Sequence, residues 1–265
     1  VTSDSSDKTP FGRRVVLGAA ACAGLVGLNR LLTSADRRAA GDTFAAMSPT
    51  GDPSAEDPAG APGRRPVEVR TAADRTLDVP GRRIALTFDD GPHPEHTPQV
   101  LRVLRQHGVT ATFFVIGENA ERHPDLLRAV ADEGHLVANH SWTHPQLTRL
   151  SRTAVREELG RTSDLLASAL GAAPRWARAP YGAWDRASLG ICADLGMVPL
   201  GWSIDTNDWA APGVGAISTA VLDGAHSGAV VLVHDGGGDR SQTVSALGHY
   251  LPRLIDRGYQ LVQPV

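Results

Sequence analysis

Two short segments carry side chains that could do chemistry together: Thr87-Phe88-Asp89-Asp90-Gly91-Pro92 and His140-Ser141-Trp142-Thr143-His144. Adjacent carboxylates repel, and both ionise cheaply only if a cation neutralises one of them. A divalent metal on Asp90 would do so, leaving Asp89 free to take a proton from a water that the metal has acidified. Imidazole and carboxylate together suit zinc or a similar first-row ion. The His-x-x-x-His spacing is expected to present both rings on one side of a helical turn. Asp90, His140 and His144 then make three protein ligands with one position open, the pattern of a catalytic metal site and not a structural one. The chemistry such a division of labour serves is metal-assisted hydrolysis. Taken singly, each segment also has an ordinary reading, an Asp-Asp-Gly-Pro turn after a strand and a chance histidine pair.

The elements that must position these groups alternate in type. Short apolar runs predict strands over Ile84–Phe88, Ala111–Ile116, Leu136–Asn139, Trp176–Arg178, Val198–Ser203, Ala229–Val233 and Gln260–Val262. Helical patterns cover Pro98–Gln106, Pro124–Glu133, Arg152–Leu170, Asp185–Leu195 and the stretches around Gly215–Asp223 and Gln242–Asp256. Ser151 and Gly171 stand where the cap and the stop of the longest helix belong. About seven βα units in alternation make this an α/β chain with parallel strands and right-handed crossovers. Continuous apolar runs fit strands buried on both faces. The reactive side chains all fall at or just past strand C-termini: Asp89, Asp90, His140, His144, Arg178, Asp205, Asp208 and His234. In a βα barrel these ends gather on one face, so segments far apart in sequence point at one site.

The rest of the chain bounds the function. A net charge of −3 over 265 residues argues against a nucleic-acid partner, which would call for a basic face. Lys8 is the only lysine, a bias we read as high-GC coding. Cys22 lies in an apolar N-terminal stretch, which leaves Cys192 without a partner in the folded part. Arg13-Arg14 precede an Ala/Gly-rich run reaching about Leu28, too short for a comfortable membrane span. Residues 1–32 are therefore expected to be an export signal, twin-arginine in style, or an N-terminal anchor. Residues 33–80, rich in Pro, Gly and Ala and without periodicity, are expected to form a disordered linker. Residues 81–265 form the catalytic domain, with ample length for a single core.

In order along the chain, Thr87 to Pro92, His140 to His144, Arg178-Ala179-Pro180-Tyr181-Gly182, Asp205-Thr206-Asn207-Asp208-Trp209 and Leu232-Val233-His234 resemble the five motifs of the polysaccharide deacetylases. These are the family 4 carbohydrate esterases with a NodB-homology domain. The resemblance covers about Arg83 to Val265, with every motif intact.

The resemblance implies a distorted (β/α)7 barrel and metal-dependent removal of acetyl groups from an N-acetylated glycan, peptidoglycan or a chitin-like oligosaccharide. Carried over by position, Asp89 is the general base, and Asp90, His140 and His144 hold Zn2+ or another divalent ion such as Co2+, Ni2+ or Mn2+. His234 is the general acid that protonates the departing amine, and Asp208 keeps it cationic. Arg178 orients Asp89. The backbone N–H of Tyr181 helps to stabilise the oxyanion, while Trp209 and Leu232 line the pocket for the acetyl methyl. The same site suits O-acetyl ester hydrolysis, for example on acetylxylan. A metal-containing wall-glycan-binding module without turnover is the rival of another class. A monomer is expected, with membrane contact only through the N-terminal anchor.

Overall fold

Strand β1 (Arg83–Asp89) is buried from Ile84 onward, polar Thr87 and Asp89 included. The computed structural model describes residues 65–265, and it shows a packed layer on each face of this strand. Side chains alternate across a sheet. Ile84, Leu86 and Phe88 join the apolar layer under the helices, while Ala85 packs on the inner face against Phe114, Ala138 and Val230. Thr87 and Asp89 follow Ala85 in the same period, so they too look inward. Strand β7 (Ala229–His234) repeats the pattern: Ala229, Val231 and Val233 face the helices and Val230 the interior, followed in period by Leu232 and His234. The two strands pair in parallel with Thr87 beside Leu232 and Asp89 beside His234. A slip of one residue would turn Asp89 or His234 into the helix layer.

The remaining strands are β2 (Thr112–Val115), β3 (Leu136–Asn139), β4 (Trp176–Ala177), β5 (Val198–Pro199), β6 (Ile204–Asp205) and β8 (Gln260–Leu261). They run in the order β5-β4-β3-β2-β1-β7-β6, with β8 paired to the start of β1. All these ladders are parallel. The sheet curls without a pairing between β5 and β6, which is the distorted (β/α)7 barrel the motifs implied. Helices α1 (His96–Gln106), α3 (Pro124–Asp132), α4 (Arg152–Leu170), α5 (Arg186–Asp194), α6 (Val214–Gly224) and α7 (Ser241–Asp256) match the expected segments within a few residues. In α4 the Ser151 side chain accepts from Ala154 N–H, and Gly171 ends the helix in the left-handed region at φ 79°, as the sequence signals required. Helix α2 (Gly117–Arg122) was not expected; six residues show no period.

Two expectations need correction. The strand expected over Val198–Ser203 is interrupted after Pro199, and the chain resumes as β6 on the far edge of the sheet. The Leu200 and Gly201 carbonyls accept hydrogen bonds from Arg178 instead of from a neighbouring strand, and Gly201 N–H donates to Asp74 at 2.7 Å. Nor does the disordered linker extend to Pro80. Val67 N–H donates to Ala193 O, Asp74 bridges Leu200, and Thr76 bridges Ala229. This strap is held by its backbone, which its polar, small-residue composition does not disclose. The export signal or anchor expected over residues 1–32 and the linker expected over residues 33–64 lie outside the described residues.

His135, at the foot of β3, yields a stability prediction. Its Nδ1 accepts from Ala111 N–H at 3.2 Å and its ring leans on Phe113. Burial pushes its imidazole down to about 4. A base whose pKa is lower in the folded state is bound by more protons when unfolded, so stability is full above pH ~6.5 and falls toward pH ~4. Because the ring edge lines a shallow groove, solvent screens part of the effect, leaving on the order of 1 kcal/mol. His135→Asn is expected to shrink the Tm loss between pH 7.5 and pH 5 by about 2–4 °C. Equal losses in both proteins would refute the assignment.

Candidate active site

β1 ends in Asp89, and Asp90 then turns with φ 73°, a left-handed conformation that is uncommon outside glycine. Two glycines make room for the turn. A Cβ on Gly91 would meet the Asp235 carboxylate at 2.4 Å, and one on Gly237 would meet Asp90 Oδ2 at 2.4 Å. The result gives the two neighbouring carboxylates different main partners, although both reach His140, whose Nε2 lies 3.6 Å from Asp89 Oδ2. Asp89 Oδ1 accepts from Arg178 at 2.7 Å, whereas Asp90 Oδ1 lies 3.4 Å from His140 Nε2 and 3.2 Å from His144 Nε2.

The histidines reach Asp90 from a loop, not from the helical turn expected of their spacing. Ser141 and His144 both have positive φ, at 65° and 62°, which breaks any helix there. Side chains brace the loop: Asn139 Oδ1 accepts from Ser141 N–H, and Ser141 Oγ accepts from His144 N–H. Glu158 of α4 accepts from the N–H groups of Trp142 and Thr143, each at 2.8 Å. His140 Nδ1 lies 2.8 Å from the Arg178 carbonyl; since a carbonyl only accepts, Nδ1 carries the proton, and Nε2 is the ring nitrogen turned to the carboxylate pair.

Arg178 is fully buried at 0% exposure. Its guanidinium donates to Asp89, to Thr87 Oγ1 at 2.9 Å, and to the carbonyls of Leu200 and Gly201. The Phe114 ring lies under it, 4.0 Å from the guanidinium carbon. Opposite, His234 Nδ1 donates to Asp208 Oδ1 at 2.7 Å, and the second Asp208 oxygen accepts from His234 N–H and from Thr243 Oγ1. Burial opposes the charged imidazole, but the Asp208 hydrogen bond and charge outweigh it and raise the His234 pKa above its ordinary value. Burial likewise would raise Asp90, yet the nearby imidazole of His140, with those of His234 and His144, holds its carboxyl well below the usual range. Burial and the charge of His140 lower His144.

One cleft of about 490 Å³ collects Asp89, Asp90, His140, His144, Tyr181, Trp209, Leu232 and His234. Asp205 lines the same cleft, and Arg178 and Asp208 stand directly behind it, so all eleven residues named from the sequence assemble at one site. Tyr181, at φ 62° in a tight turn, leaves its side chain 70% exposed and edge-on to His144. Trp209 is 59% exposed at the rim, whereas Leu232 is buried in the wall. Sequence reasoning missed Thr87 as an Arg178 partner, Asn139 and Glu158 as braces, and Arg240, which also lines the cleft. Asn139 could have been found from its place at a strand end beside His140. Nothing in the sequence marks Glu158.

The ligand atoms of Asp90, His140 and His144 lie within 4.8 Å of one another, the one such group among the described residues. Asp90 Oδ1 is buried without a hydrogen-bond partner, a costly state unless a cation faces it. The donor set therefore fits a divalent metal. A half-barrel with this centre, a buried Asp-Arg pair on one side and an Asp-His pair on the other defines a metal-dependent hydrolase.

Comparison with known proteins names the group. The family described as "Polysaccharide deacetylase" matches residues 76–200. A chitooligosaccharide deacetylase of Rhizobium leguminosarum bv. trifolii is 46% identical over 191 residues, covering 68% of this chain and 89% of the relative. A peptidoglycan-N-acetylglucosamine deacetylase of Bacillus cereus is 38% identical over 180 residues, 68% of this chain and 66% of the relative. The crystal structure of the Bc1960 peptidoglycan N-acetylglucosamine deacetylase, bound to a hydroxamate-type benzamide, superposes with TM-score 0.69 at 35% identity, over 72% of this chain and 90% of that one. The chain belongs to the polysaccharide deacetylase family, carbohydrate esterase family 4.

Proposed function

We propose that this enzyme removes N-acetyl groups from a GlcNAc-containing glycan, peptidoglycan or a chitin-like oligosaccharide. The observation that carries the reading is the split of the carboxylate pair: Asp90 turned to two imidazoles, Asp89 to a buried arginine. Asp90, His140 and His144 would hold a divalent ion, with Zn2+ the first choice for this donor set, which would supply Lewis-acid polarisation and lower the pKa of water. Asp89, held in place by Arg178, accepts the proton of the water that attacks the acetamide carbonyl. The backbone N–H of Tyr181 is the proposed donor to the oxygen on which negative charge develops. His234, kept protonated by Asp208, gives its proton to the amine as the C–N bond breaks. Trp209 and Leu232 bound the space for the acetyl methyl.

The acid role predicts a pH effect. His234 must be protonated to act, so activity falls as pH rises through its raised pKa. Asp208→Asn removes the hydrogen-bonded charge that raises it, and the alkaline limb of kcat/KM is expected to move to lower pH by about one unit or more. An unmoved limb would remove His234 from the acid role.

The reaction itself is tested by acetate release from chitooligosaccharides, peptidoglycan and acetylxylan after metals are stripped and restored singly. Release from the first two, only with metal present, supports the proposal. Release from acetylxylan alone makes the enzyme an O-acetyl esterase, and binding without release under every metal makes it a wall-binding module. Arg13-Arg14 with the apolar run after them supports export or surface anchoring as part of the same proposal. Residues from 33 up to the strap at 65 then serve as a tether.

A further inference from the structure

Arg240 stands at the start of α7, and its side chain is only 5% exposed although it lines the cleft. Its donors go to backbone. Nε donates to Gly236 O at 2.7 Å, one terminal nitrogen to Gly237 O at 3.0 Å, and the other to Trp209 O and Asp239 O, both at 3.4 Å. Among the described residues no carboxylate forms an ion pair with it. A buried guanidinium bonded to carbonyls alone fixes the course of the chain instead of neutralising a charge. Its own N–H donates to His96 Nε2 at 3.1 Å, and His96 is itself buried and stacked on His93 at 4.7 Å, so the base of the side chain is anchored to α1.

Arg240 thereby joins two loops of the cleft wall. Residues 236–238 are glycines, with no side chains to pack, yet their backbone presses on Asp90: a Cβ on Gly236 would lie 2.1 Å from Asp90 O. The turn bearing Trp209 is flanked by Asn207 and Ala211, both at positive φ, 50° and 51°. Asp90 is in the same strained region. Such conformations persist only where the surroundings over-determine them.

We infer that Arg240 is a positioning residue, a staple that holds the glycine loop against the Asp90 carboxylate and the Trp209 turn against the cleft. The inference rests on the reading of Asp90 as a metal ligand and Trp209 as a substrate wall. Removing the guanidinium loosens both loops, so one change weakens metal binding and substrate binding together. A residue that only stabilises the fold would lower Tm and leave both constants of the folded protein unchanged.

The test compares the full chain with Arg240→Ala and Arg240→Lys. Zn2+ affinity is read by competition with a chromogenic chelator, KM and kcat by acetate release from chitooligosaccharide, and the folded fraction by Tm. Arg240→Ala is expected to weaken Zn2+ binding by about 10–100-fold and to raise KM, with partial recovery of both in millimolar methylguanidinium. Arg240→Lys, a point charge that cannot reach carbonyls on both loops, should recover little and keeps the test open should the alanine variant fail to fold. Zn2+ affinity and KM equal to the parent's in either folded variant would overturn the inference. If the parent releases no acetate with any metal, the proposed reaction fails, while the chelator competition still decides whether Arg240 holds Asp90.

Discussion

Asp89→Asn is expected to lower kcat by roughly 10²–10⁴-fold, the range of a positioned general base. The substitution keeps the shape of the side chain and leaves Asp90, His140 and His144 untouched, so stoichiometric metal should still be taken up. It has a second cost. Asp89 is the carboxylate partner of the fully buried Arg178, at 2.7 Å, and neutralising one member of a buried pair destabilises the fold. Thr87 and the Leu200 and Gly201 carbonyls still receive the guanidinium, which moderates the loss. Rates must therefore be normalised to folded, metal-loaded protein. Acetate release near the parent rate from such protein would remove Asp89 from the base role.

Arg178→Met should be the most destabilising single change at the site, by about 3–5 kcal/mol, a large part of a typical domain's stability. It strands the Asp89 carboxylate in a closed interior and takes the donor from two buried carbonyls at once. Thermal denaturation should show Tm lower by about 6–20 °C. Because a divalent cation beside Asp90 compensates some of the stranded charge, the rise in Tm on adding Zn2+ should be greater in the variant than in the parent. A Tm within about 2 °C of the parent's would mean that Arg178 is dispensable to the pair.

Much of this architecture was legible because it is written in local rules. The α4 helix begins after Ser151 and ends at Gly171, as capping chemistry demands. Strands β1, β3 and β7 are recognisable as short apolar runs, and their C-terminal ends carry the reactive groups. What was misread depends on partners that sequence neighbours do not specify. Residues 200 and 201 look like strand, yet their carbonyls turn to Arg178 and break the ladder. The strap from residue 65 to 77 looks like linker because its attachments, Asp74 to Leu200 and Thr76 to Ala229, are made by backbone that every residue has. The two histidines do come together, but not on the helix where i and i+4 meet by default. A loop braced by Asn139 and Glu158 brings them together instead.

The amino-acid sequence alone determined which groups could react: a carboxylate pair, two imidazoles, an arginine and an Asp-His couple, each at the end of an apolar strand. Side-chain identity and short apolar runs are local properties, so no fold was needed to see them. The tertiary structure decided who partners whom. Asp89 faces Arg178 and stands beside His234 because parallel register sets them level. Asp90 turns away because Gly91 and Gly237 let backbone and carboxylates approach to distances that any Cβ would block. A division of labour between adjacent aspartates is a matter of ångströms across separate segments, and only packing fixes those.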